Sequence, residues 1–159
     1  MVKNNVTRLL EARGIPYTAF ELPAEKLGAR ETAERLGVPV GRVFKTIVVR
    51  RESPRKPLLV VVPGDREVDL KAVAAVLGEK KVYLPTEREA EALTGLQAGG
   101  ISPLALLQKG FQVLVDQRAL EWETIHVSGG QRGLNIRLKP QDLIALCNAK
   151  VADVSRLVG

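Results

Sequence analysis

Cysteine occurs once in this chain, at Cys147, and histidine once, at His126. A lone cysteine closes no intramolecular disulfide, and one of each residue cannot assemble a zinc site of sulfur and imidazole ligands. No metal site is therefore expected. A Ser-His-Asp triad would have to use His126, which falls in an apparent strand with no nucleophile elbow in view, so a structural role is expected for it. Cys147 lies on the apolar side of a late helix and reads as a small buried hydrophobe. Aromatic residues make up only 4%, which predicts an aliphatic core and argues against reading single strands by base stacking. The longest aliphatic run, Leu58 to Val62, is far short of a membrane span, and Met1 to Asn5 has no signal-peptide core. These absences predict no membrane association and a cytoplasmic location. There is no GKS or GKT, and no GxGxxG opens a helix after a strand, so neither nucleotide fingerprint applies and no cofactor is expected. Any catalysis must rest on lysine, carboxylates, hydroxyls, main-chain amides or the substrate itself.

What is present is an ordinary globular composition, 45% hydrophobic and 26% charged over 159 residues. That length, without a linker, repeat or low-complexity tract, predicts one domain spanning residues 1–159. The net charge is +6, with basic residues scattered singly and in pairs such as Arg50/Arg51 and Lys80/Lys81. A polyanion partner is compatible with that balance, although most such residues serve as solvated surface.

Helices are predicted around Val6 to Leu10, at Ala29 to Leu36 before Gly37, and at Leu70 to Leu77 between Asp69 as N-cap and Gly78 as C′. Thr86 with Glu89 forms a capping box for a helix to about Thr94, and Pro140 opens another to Leu146. Strands are predicted at Tyr17 to Leu22, Phe44 to Val49, Leu58 to Val62, Lys81 to Leu84, Gln112 to Asp116, Thr124 to Val127 and Leu134 to Leu138. One short element is allowed for in the tail, Val151 to Gly159. Hairpin-like strand pairs with interspersed helices and no regular βαβ alternation predict an α+β fold with a curved sheet flanked by helices.

Three stretches could carry chemistry. Gly95 to Leu104 holds three glycines and a proline, a loop able to turn several N–H groups toward one point. Its plainer reading is a helix end and a turn. Lys45 shares a strand face with Ile47 and Val49 in Val43 to Val49, where a lone ammonium is either an edge guard against aggregation or a cation held in a cleft. Thr46 points to the other face. Ser128 to Gly133 is a glycine-rich hairpin that could offer main-chain donors and Arg132 to an anion, with Asn135 a polar group just beyond it.

Taken in order, Arg42-Val43-Phe44-Lys45-Thr46, Asp69-Leu70-Lys71, Thr94-Gly95 with Gly99-Gly100-Ile101-Ser102-Pro103-Leu104, and Val127 to Leu134 closely resemble the YbaK/ProX family. That family includes the editing insertion domain of bacterial prolyl-tRNA synthetases, and the resemblance runs from about Val6 to Val154. It implies a mixed, partly barrel-like sheet surrounded by helices, and hydrolysis of misacylated tRNA without metal or histidine base. Carried over by match, Lys45 corresponds to the family's essential lysine, binding the aminoacyl-adenosine end or a phosphate. Gly99 to Pro103 corresponds to its G-x-x-x-P loop, and the amides of Gly100, Ile101 and Ser102 are expected to hold the aminoacyl carbonyl. Thr46, Pro103, Ser128, Gly129, Gly130, Arg132 and Asn135 are expected to line the substrate site. Phe20 and Leu27 stand where the family's cysteine branch often has an aromatic pair, and Asn135 where some members have Asp. The implied substrate is Cys-tRNA(Pro), with the cysteine thiol itself attacking the ester. Alanine or another small residue as the cleaved group is one alternative, and a non-catalytic tRNA- or synthetase-binding module is another. Aminoacylated tRNA is the implied partner and prolyl-tRNA synthetase a candidate second. No basic recognition helix supports a DNA-binding regulator.

Overall fold

In a computed structural model, described here for residues 2–158, most helix boundaries follow local signals. Helix α1 (Asn5–Ala12) starts at Asn4, whose side chain accepts the Thr7 N–H while Thr7 answers the Asn4 backbone. Helix α2 (Ala29–Leu36) follows Gly28, which offers no side-chain cap, and ends at Gly37 with φ +70°. In α3 (Leu70–Leu77) Asp69 accepts the Ala72 N–H at 3.1 Å. Helix α4 (Glu87–Thr94) carries the Thr86–Glu89 capping box and closes at Gly95. Helix α5 (Pro140–Cys147) runs one residue past the expected Leu146, because Asn148 takes the left-handed cap at φ 48°.

Among the described residues, ten strands form three sheets. The largest is built from β2 (Phe44–Arg51), β3 (Leu58–Pro63), β5 (Val82–Tyr83), β6 (Gln112–Asp116) and β9 (Lys150–Ala152), in the order β5-β2-β3-β6-β9. Strands β2 and β3 form an antiparallel hairpin, whereas β6 and β9 join in parallel. A second, antiparallel sheet has β1 (Thr18–Glu21), β8 (Leu134–Leu138) and β7 (Ile125–Ser128) in the order β1-β8-β7. The third pairs β4 (Arg66–Val68) with β10 (Ser155–Leu157). The tail therefore supplies two strands where one element was allowed for, and β4 had no counterpart in the sequence reading. Short 3₁₀ turns at Leu104–Lys109 and Gln117–Glu121 are further additions.

Strand β3 is buried along its whole length and divides the interior. Leu59 and Val61 face a core shared with Val6, Phe44, Val115, Ile136 and Leu143. Leu58, Val60 and Val62 face a smaller one with Val73, Val82, Leu114 and Val154. This two-sided burial explains why the strand reads as an unbroken aliphatic run. The first two sheets meet where β2 lies against β7 and Val43 bridges His126. The architecture is mixed α+β, and no closed barrel forms among the described residues. No helix among them is long and apolar enough to cross a membrane.

Candidate active site

Strand β2 is paired with β3 from Phe44 to Val49 but with β5 only at Arg50 and Arg51. Its first half thus keeps one edge open. A cleft of about 450 Å³ runs along that edge, lined by six consecutive residues, Val43 to Val48. Successive strand residues point to opposite faces, so such a run lines one cleft only when the cleft follows the edge itself. The opposite wall comes from Ala98, Gly99 and Ile101 of the glycine loop and from Ser128 and Asn135 of β7 and β8. The start of α2, with Gly28, Ala29 and Thr32, closes another side.

Lys45 is half-buried at this edge, not extended into open solvent. Burial pushes its pKa below the ordinary 10.5, and the charges of Glu67 and Asp65 oppose that shift in part. Asn135 is buried, and its Oδ1 lies 2.8 Å from His126 Nδ1. With the proton on Nδ1, the imidazole donates to that oxygen and leaves the Asn135 amide group for the cleft. His126 itself is 1% exposed, stands beside the Phe20 ring at 5.5 Å, and has no partner for Nε2 among the described residues. Burial lowers its pKa from 6.5; the Asn135 bond opposes this, and the charges of Arg42 and Arg137 reinforce it.

Of the residues expected to form a site, Lys45, Thr46, Leu27, Gly99, Ile101, Ser128 and Asn135 line this one cleft. The others do not. The N–H of Gly100, expected to hold a carbonyl oxygen, donates to Gln97 O at 2.8 Å in a tight turn. Gly100 is instead needed where the loop touches the hairpin: a Cβ there would lie 2.9 Å from Gln131 Cα. Ser102 is fully buried, and its Oγ accepts the Leu104 N–H. Pro103 faces a separate cavity on the reverse side, with Cys147. The N–H groups of Gly99, Ile101 and Ser102 have no acceptor among the described residues. In the hairpin, Gly129 N–H donates to Leu134 O at 2.8 Å and Gly130 N–H to Ser128 Oγ at 3.2 Å. The Nε of Arg132 donates to Ala98 O at 2.7 Å, so that side chain braces the loop. Phe20 is not among the cleft-lining residues and packs near His126 and the Arg137 guanidinium, the latter 5.3 Å from its ring. Thr32 and Leu84 line the cleft without having been anticipated. Thr32 falls on the buried side of α2 and its hydroxyl has no partner among the described residues, a property only the fold reveals.

Residues 24–146 match the family model described as the aminoacyl-tRNA editing domain. The chain belongs to the aminoacyl-tRNA editing domain family. It is 36% identical over 155 residues, 96% of its length and 93% of the relative's, to EbsC of Enterococcus faecalis, a protein provisionally named as a Cys-tRNA(Pro)/Cys-tRNA(Cys) deacylase. A proline–tRNA ligase of Acidithiobacillus ferrooxidans is 30% identical across 73% of the chain, which spans only 21% of that ligase. Among solved structures, a protein designated APE2540 superposes with a TM-score of 0.88 at 28% identity, covering 96% of this chain and 100% of that one. A structure provisionally described as a trans-editing enzyme for prolyl-tRNA synthetase gives a TM-score of 0.79 at 28% identity, covering 98% and 99%. The cleft residues Leu27, Lys45, Gly99, Ile101, Ser128 and Asn135 all fall inside the span matched by the editing-domain model.

Proposed function

We propose that residues 1–159 form a single trans-editing domain that hydrolyses the ester of misacylated tRNA in the cytoplasm, with Cys-tRNA(Pro) as its substrate. The observation that carries this reading is that Lys45 and the loop residues Gly99 and Ile101, approached from different parts of the chain, line one cleft. Its volume, about 450 Å³, suits a nucleoside carrying a small aminoacyl group.

An aminoacyl ester is already activated, so orientation and stabilisation of the developing oxyanion supply the acceleration. In this reading the N–H groups of Ile101 and Gly99 receive that oxygen, since Gly100 is engaged with Gln97. Lys45 holds the nucleotide end, and Asn135, oriented by His126, offers its amide to the ester or a ribose hydroxyl. The attacking group is the substrate's own thiol: its sulfur bonds to the carbonyl carbon, the bond to the ribose oxygen breaks, that oxygen leaves with a proton, and water later opens the thiolactone. Similarity to a stretch of proline–tRNA ligases supports prolyl-tRNA synthetase as the partner that releases the substrate.

The test is a panel of aminoacyl-tRNAs, among them Cys-tRNA(Pro), Cys-tRNA(Cys) and Ala-tRNA(Pro). Release of cysteine is expected. Release of alanine in preference would move the specificity, and salt-dependent tRNA binding with no hydrolysis of any ester would leave a binding module.

A further inference from the structure

Beyond Lys45 the first cleft opens into a second, of about 510 Å³, on the far side of the strand edge. Lys45, Ile47 and Leu84 line both, so they form the saddle between them. Leu84 is 56% exposed there, a large apolar side chain left in water beside a cation. The second cleft carries Lys71 and Arg156 over a floor that includes Val68 and Leu70. Its two carboxylates are both engaged. Asp69 caps α3 through the Ala72 N–H, and Glu67 pairs with Arg156 at 2.9 Å. Lys71 is exposed and has no acidic partner among the described residues.

An aminoacyl ester on RNA is the end of a polymer, so a terminal nucleoside in the first cleft must be followed by nucleotides that leave it. Resting on the function proposed above, we infer that the second cleft seats the nucleotides just 5′ of the esterified one in the same single strand. The phosphate linking the terminal nucleotide to its neighbour crosses the saddle at Lys45, and the neighbouring base packs on Leu84. Lys71 and Arg156 meet the phosphates beyond, Arg156 turning from Glu67 as RNA binds. A basic groove that tracks the backbone is how proteins hold single-stranded nucleic acid without reading its sequence, and the exposed Leu84 stands here where an aromatic stacking platform often does.

The experiment compares two esters, cysteine on adenosine alone and cysteine on the trinucleotide CCA, in the full chain and in the double variant Lys71→Ala/Arg156→Gln. Binding of uncharged 5′-phosphorylated CCA is followed alongside by fluorescence anisotropy across a salt series. The unaltered protein is expected to prefer the trinucleotide ester in kcat/KM. The double variant should lose about tenfold of that preference and flatten the salt dependence of CCA binding by roughly 0.7 per contact removed. Lys139→Ala/Lys150→Ala, an equal charge change away from both clefts, should leave the preference in place. Equal kcat/KM for the two esters in the unaltered protein, or a preference untouched by the double variant, overturns the second-cleft assignment while the deacylase reading stands. If neither ester is hydrolysed the deacylase reading falls, and CCA binding then decides alone: weakening in the double variant but not in the control supports the cleft, and equal binding overturns it.

Discussion

The glycine loop, Gly95 to Leu104, and the glycine hairpin, Ser128 to Gly133, look interchangeable as sequence and differ in what their amides do. In the hairpin the two central glycine N–H groups are held by Leu134 O and Ser128 Oγ. In the loop Gly100 closes a turn, while the amides of Gly99 and Ile101, which line the cleft, find no acceptor among the described residues. The hairpin acts as a support and the loop as the surface that it supports. Arg132 Nε on Ala98 O and the close approach of Gly100 to Gln131 join the two. Glycine content therefore marks backbone shape, and only the hydrogen-bond ledger separates an open donor from a closed one.

Lys45 faces the loop's cleft, and its loss should have the largest effect. Lys45→Ala is expected to lower deacylation by about 100- to 1,000-fold in single-turnover assays, with Tm nearly unchanged. Wild-type turnover would return Lys45 to the role of an edge guard. Because burial lowers its pKa, activity corrected for uncatalysed hydrolysis should decline on the alkaline side before pH 10.5, as the ammonium is lost.

Two glycine replacements sharpen the contrast between loop and hairpin. Gly100→Val places a Cβ 2.9 Å from Gln131 Cα and shifts the loop amides, which should reduce kcat by about 100-fold. Gly129→Ala places its Cβ 2.5 Å from Leu134 Cγ. That change should lower stability by roughly 1–3 kcal/mol in denaturant titrations and leave the folded fraction active. Equal losses of kcat in both would erase the distinction between surface and support.

Much of this was legible in the chain because its signals are local. Asp69 and Gly78 bound α3 within one turn at either end, and Thr86 with Glu89 does the same for the start of α4. Strand β4 was not legible, and β10 was anticipated only as an unspecified short element of the tail, since each has three residues and exists through its pairing with the other from the far end of the sequence. At the site, residue types left Lys45 and the glycine loop open to plainer readings and the family resemblance singled them out, but the Gly100 turn and the burial of Ser102 depend on how the loop seats against the hairpin. Phe20 was singled out by the family resemblance alone, and it does not line the cleft. It stands opposite Asn135 in the strand register, with the His126 ring centroid 5.5 Å and the Arg137 guanidinium 5.3 Å from its ring.

The smallest expected effect tests the support itself, through His126 at its base. Neutral His126 donates from Nδ1 to Asn135, and its buried Nε2 has no partner among the described residues. Protonation would create a buried N–H with nothing to accept it, near the cations Arg42 and Arg137, so the folded-state pKa lies below 6.5. As pH falls, the unfolded chain takes up this proton first. The contribution to stability is therefore complete above about 6.5 and is lost progressively below it, until the folded-state pKa is reached. The Tm should decline between pH 7 and 5, before most carboxylates titrate, and His126→Gln should flatten that stretch of the profile. An equal decline in the variant would assign the titration to another group, and no decline in the unaltered chain would mean that Nε2 gains an acceptor on protonation and that the wall holding Asn135 yields more readily than its hydrogen bonding implies.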